Sequence, residues 1–103
     1  MQTIRNLLLK CTGFQWDAGN REKNWISHGV LAKEAEQAII NRPIALAEDE
    51  SHSGKERRYK ALGTTDLNRL LFVVFTIRTD EIRVISARDM DLDEKREYYE
   101  EAT

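Results

Sequence analysis

Two kinds of hydrophobic period divide the chain. Residues 1–13 follow neither and predict a short lead-in or an edge strand, with Gly13-Phe14-Gln15-Trp16 alternating like the start of a strand. Asp17 then stands as a helix N-cap. The helix runs through Glu22, Lys23, Asn24 and Trp25 to about His28, and Gly29 sits where a left-handed residue closes a helix. A second helix is predicted over about Leu31–Asn41, with Ala35, Ala38 and Ile39 on one face, and Pro43 ends it. Beyond Pro43 the period becomes that of strands. Ile44–Ala47 is a short one, 48–54 a polar loop, Arg58–Thr64 a second strand and Thr65–Asn68 a turn. Leu70–Ile77 is apolar on both faces, as a central strand is, Thr79-Asp80 is a tight turn, and Ile82–Ala87 is a further strand. Asp89 or Asp91 caps a last helix reaching about Glu101. This order predicts an α+β fold: two N-terminal helices, an antiparallel β-sheet meander and a C-terminal helix.

A two-residue loop at Thr79-Asp80 would set Thr76 opposite Arg83, Val74 opposite Ile85 and Arg78 opposite Glu81. One face of this hairpin then carries Phe72, Val74, Thr76, Arg78, Arg83 and Ile85. The other carries Leu71, Val73, Phe75, Ile77, Ile82 and Val84, stays apolar until Ser86 and Arg88, and must pack on the helices. Two arginines and a threonine at one end of the first face predict an anion site, because a guanidinium offers a fixed fork of donors suited to phosphate. The same residues also allow a plain ladder, with Arg78 paired to Glu81 and Arg83 solvated.

Composition narrows the class. With 103 residues, 41% hydrophobic and 33% charged, the chain makes one globular domain, 1–103, in which residues 1–12 are the lead-in. The single cysteine, Cys11, cannot form an internal disulfide, and Lys10 stops the apolar Leu7–Leu9 stretch far short of a membrane span. A cytoplasmic location and no membrane are expected. The net charge of −2 argues against a nucleic-acid partner, but its layout does not: residues 55–88 carry 8 basic and 4 acidic side chains, residues 89–103 carry 2 and 7. A basic middle can hold an anion while the whole chain is acidic, since exposed charges are screened beyond roughly 8 Å. There is no CxxC, HExxH, Gly-rich phosphate loop or GxSxG, and His28 and His52 lie at unrelated places. No metal site and no cofactor are therefore expected.

Ordered strings along the chain resemble one family. Phe14-Gln15-Trp16-Asp17, Asn24, His28-Gly29-Val30 and Glu34-Ala35 look like the opening of the BrnT toxin family. His52-Ser53, Glu56, Arg58 and Ala61-Leu62-Gly63 are similar to its middle. Arg69, Leu71, Val73, Val74, Thr76, Arg78, Ile82-Arg83, Ile85-Ser86-Ala87-Arg88, Glu94 and Tyr98 resemble its end. The resemblance implies a RelE-like ribonuclease fold and the toxin of a type II toxin–antitoxin pair. It further implies RNA as substrate, a ribbon-helix-helix antitoxin as partner, and a homodimer within the toxin–antitoxin complex. Against the family pattern, Asn20 and Ser27 stand where lysines are expected, Lys60 where a strand apolar residue is, and Asp89–Asp93 is acidic.

Metal-free RNA cleavage needs a base for the attacking 2′-hydroxyl, an acid for the leaving oxygen and cations for the charge that builds on phosphorus. Arg78 and Arg83 fit the charge, and Arg58 on a neighbouring strand adds to it. His28 and His52 are the acid or base candidates, because their unperturbed pKa lies near neutrality. Tyr98 can stack on a base or donate a proton. Each has a structural alternative: His28 capping last-turn carbonyls, His52 idle in its loop, Tyr98 anchoring the last helix. Arg88 is expected to pair with Glu94, and Trp16 to sit in the core, while Trp25 is either core or antitoxin contact. The departures in charge leave a second functional class open: a non-catalytic toxin-fold protein that binds its antitoxin and takes part in operon autorepression.

Overall fold

The computed structural model describes residues 3–52 and 54–103, with the backbone alone at His52. Its first element overturns the lead-in. Thr3 accepts a hydrogen bond from the Asn6 N–H and caps α1 (Ile4–Leu9), whose Leu8 is buried while Ile4 and Leu7 pack against the core. The spacing of those three residues is helical, but over less than two turns.

The next elements follow their caps. β1 (Gly13–Gln15) leads to Asp17, whose carboxylate accepts from the Asn20 N–H and starts α2 (Ala18–His28). Gly29, at φ 61°, closes it in the left-handed conformation that a residue without Cβ adopts at least cost. α3 (Ala32–Ile40) opens with the Glu34 carboxylate accepting from the Leu31 N–H. Three strands follow β2 (Ala45–Glu48) and a turn of 3-10 helix (Glu50–His52): β3 (Tyr59–Thr64), β4 (Leu70–Arg78) and β5 (Glu81–Asp89). Asp91 and Glu94 form a reciprocal capping box on α4 (Leu92–Glu101).

The five strands make one sheet in the order β1-β5-β4-β3-β2. β2 through β5 are the expected antiparallel meander, but β1 pairs with β5 in parallel, so the sheet is mixed. Thr79 and Asp80 both take positive φ, 51° and 61°, which is the two-residue hairpin turn whose twist suits the strands it joins. Thr76 faces Arg83 and Arg78 faces Glu81, as expected. Further up, a bulge between Val74 and Phe75 shifts the register: Val74 faces Ser86 rather than Ile85. Ser86 and Arg88 thereby leave the apolar face to which simple alternation assigns them. Arg88 lies over the Phe72 ring, 4.4 Å from its centroid, and donates to both Glu94 carboxylate oxygens at 2.8 and 2.9 Å.

One sheet face is the main core. Ala61, Leu71, Val73, Phe75, Val84 and Ala87 lie fully buried against Val30, Ala35, Ala38 and Ile39. At Gly63 a Cβ would stand 2.0 Å from the Ala38 carbonyl oxygen, so the backbone of α3 rests directly on β3. α2 closes the edge of β5 that β1 is too short to cover: the Asn20 amide donates to the Val84 carbonyl and the Asn24 Oδ1 accepts from the Ala87 N–H. On the opposite face α4 covers one end, with Tyr98 and Met90 packed on Leu62 and Phe72. The hairpin end of that face is left open.

Candidate functional site

The open end holds a cleft of about 210 Å³. It is lined by Asn20 and Lys23 from α2, Glu56 and Arg58 from the segment before β3, Thr76 and Arg78 from β4, and Arg83 and Ile85 from β5. Strand alternation brings Thr76, Arg78 and Arg83 to one face, and the i, i+3 spacing of Asn20 and Lys23 turns both toward it. The Thr76 hydroxyl donates to the Arg57 carbonyl at 2.8 Å, tying the loop to the buried strand. Four cationic side chains thus converge on one small space.

Both hairpin arginines are already engaged. Arg78 donates through Nε and Nη2 to the two oxygens of Glu56, at 2.5 and 2.7 Å. Its partner is therefore Glu56, not the facing Glu81, which instead accepts from Gln15. The Arg78 guanidinium holds the Glu56 carboxyl below the usual carboxylate range, and Arg58 and Arg83 add to the pull. Arg83 donates to Asp17 at 2.6 Å. The Asp17 carboxyl is likewise held down, first by the Asn20 N–H that it caps and then by Arg83. Lys23 makes no ion pair among the described residues.

The expected site residues divide. Arg58, Arg78 and Arg83 come together with Thr76. His28 does not join them: it is exposed at the end of α2, and its carbonyl accepts from Arg69 at the far end of β5. That is about 20 Å along the strand from Arg83. Tyr98 is the buried residue of α4, packed with Leu62 and Met90 and with its hydroxyl donating to the Pro43 carbonyl at 3.0 Å, and burial pushes its phenol pKa up; these contacts make it an anchor for the helix. The His52 side chain lies outside the described residues. Trp16 is half-buried against the core and donates to Glu36, whereas Trp25 is 55% exposed beside Leu31.

Two roles escaped the sequence reading. Lys23 was legible as a helix residue but not as a cleft cation, since nothing local says which side of α2 meets the sheet. Arg69 is the hub at the other end of β5, donating to Asp89, Glu34 and the Gly29 carbonyl and so joining the α2–α3 corner to the sheet. Those partners hold the Arg69 pKa up, and the Arg69 hydrogen bond holds the Asp89 carboxyl down. Among the described residues no group of three or more His, Cys, Asp or Glu side chains could hold a metal ion, and no helix is long and apolar enough to cross a membrane.

The class of protein that the fold and the cleft define is a small α+β domain with four cationic side chains gathered at the open end of its sheet. The particular family follows from the sequence. Residues 16–94 match the family model described as "Ribonuclease toxin, BrnT, of type II toxin-antitoxin system", and the chain belongs to that family. Its fold is similar to the crystal structure of the Brucella abortus ribonuclease toxin BrnT, with a TM-score of 0.59 and 22% identity over 78% of this chain and 97% of that one. No curated protein matches the sequence significantly.

Proposed function

We propose that the chain is a metal-independent endoribonuclease that cleaves RNA in the cleft of Arg58, Arg78 and Arg83. Membership of a ribonuclease-toxin family supplies the substrate and an antitoxin partner. The observation that carries the site is the convergence of those arginines with Lys23 beside the buried Thr76. In the reaction the 2′-oxygen attacks phosphorus, the 5′-oxygen leaves, and a 2′,3′-cyclic phosphate remains. The arginines stabilise the charge that grows on the non-bridging oxygens. Among the candidate bases and acids, His52 is favoured because it belongs to the segment that carries Glu56 and Arg58, while the hydrogen bonds at His28 and Tyr98 support structural roles for those two.

A ribbon-helix-helix antitoxin, a homodimer within the complex and a cytoplasmic location complete the proposal. Exposed Trp25 and Leu31, in one hollow with Arg21 and Lys33, support a partner surface on α2 and α3. The non-catalytic alternative draws support from one observation, that carboxylates already occupy both hairpin arginines. Induced expression in bacteria, followed by growth and RNA integrity, decides between them. Growth arrest with fragmented RNA is expected, and arrest or growth with intact RNA would hand the chain to the alternative.

A further inference from the structure

We propose that Glu56 is a built-in occupant of the phosphate position, a latch that RNA must displace before Arg78 can grip its backbone. The proposal rests on the cleft being the RNA site. Glu56 presents two oxygens to Nε and Nη2 of Arg78 at 2.5 and 2.7 Å, the same fork-to-fork geometry that two phosphate oxygens take. It does so inside the cleft, in space shared with Arg58, Arg83 and Lys23. The attraction of Arg58 and Arg83 also reaches its carboxyl, so the site is an anion site already filled from within.

The chain around Glu56 is arranged for release. Just beyond it the backbone is pinned twice, by Thr76 Oγ1 on the Arg57 carbonyl and by the Asp49 N–H on the Arg58 carbonyl, both at 2.8 Å. Glu56 itself stands at the end of exposed bends, so its carboxylate can swing out with no ladder bond broken. Its side chain and that of Arg78 are each more than two-fifths exposed, and ion pairs so placed are weak. A tethered carboxylate still outcompetes a single small anion, because its local concentration is high; a polyanion engaging Lys23 and Arg83 at the same time does not face that handicap. The latch thus favours RNA over stray phosphate.

The test uses the purified full chain and a short fluorescein-labelled single-stranded RNA, 2′-O-methylated throughout so that it cannot be cleaved, with binding read by fluorescence anisotropy. Glu56→Gln keeps the side chain's shape and removes its charge, and is expected to tighten Kd about three- to five-fold, the scale of an exposed ion pair. The double variant Glu56→Gln/Arg78→Ala is expected to bind no tighter than Arg78→Ala, because the gain runs through that guanidinium. Glu56→Ser, with thermal melts of all variants, guards against a misfolded Gln variant and should tighten binding likewise. Unchanged or weaker binding by folded Glu56 variants, with Arg78→Ala and Arg83→Ala both weakened, overturns the latch and leaves the cleft standing as the RNA site. An equal gain in the double variant also overturns it, as simple charge relief. If Arg78→Ala and Arg83→Ala bind like the parent, the RNA site and the latch fall together.

Discussion

Single side chains divide here into those proposed to face RNA and those that hold the frame, although both kinds are arginines. With the proposed cleft as the RNA site, Arg78→Ala and Arg83→Ala should each slow RNA cleavage on the order of 10²–10³-fold, the scale of losing one donor to a developing oxyanion. Neither should shift the melting temperature much, because both side chains sit in exposed or half-exposed pairs. A cleavage assay beside a thermal melt checks both statements. Arg88→Ala should do the reverse. It loses two hydrogen bonds to Glu94 and its stacking on Phe72, about 1 kcal/mol together, enough to lower the melting temperature by roughly 4–8 °C in a domain this small. Residue pairing near the turn was legible because the loop length dictates it. The Arg78–Glu56 pair was not, because it joins a strand to a loop whose path no local rule sets.

At the scale of elements, the caps Asp17 and Asp91, the Gly29 stop and the β4–β5 hairpin could all be read, since each is decided within a few residues. α1 could not be read, and of β1 only the strand itself at Gly13 could, not its partner. The first is too short for its period to be separated from noise, and the second is three residues long and owes its place to a partner 68 residues away, at Gly13↔Glu81. What closes the exposed edge of β5 is also non-local. Asn24 is almost fully buried and satisfies the Ala87 N–H, so Asn24→Ala should cost about 1–2 kcal/mol by stranding that donor; its own Nδ2, which has no partner, softens the loss. Gly63→Ala should cost more, at least about 2–3 kcal/mol, because its methyl meets the Ala38 carbonyl and α3 must lift from β3. Denaturant unfolding of both variants measures the order.

For the molecule as a whole, the common feature is carboxylates held down by arginines or caps: Asp17, Glu56 and Asp89. Such groups bind fewer protons folded than unfolded, so they favour the fold above the ordinary carboxylate range, near pH 4. As pH falls through and below that range the unfolded chain takes up protons first, and the contribution is lost. Melting temperature should therefore be level between about pH 5 and 7 and decline below about pH 4, with Asp89→Asn flattening part of the decline. Arg69 makes that residue the informative one, since the pair ties the α2–α3 corner to the sheet. The α+β class was legible at this scale because helices and strands segregate along the chain. The mixed sheet was not, because parallel pairing leaves no local mark.

The bulge in β5 gives the strand slack. Plain alternation would put Ser86 and Arg88 on the apolar side, and that misfit in the sequence was the trace of an extra residue. If Ile85 were deleted, Ser86 would still face Val74 and Ala87 would still face Val73, now in unbroken alternation. The domain should therefore survive losing a residue here, with its circular dichroism spectrum intact, while the cleft wall that Ile85 supplies is redrawn. Chain length is negotiable at this point in the direction of loss, and a shortened relative could change what it grips without relearning how to fold.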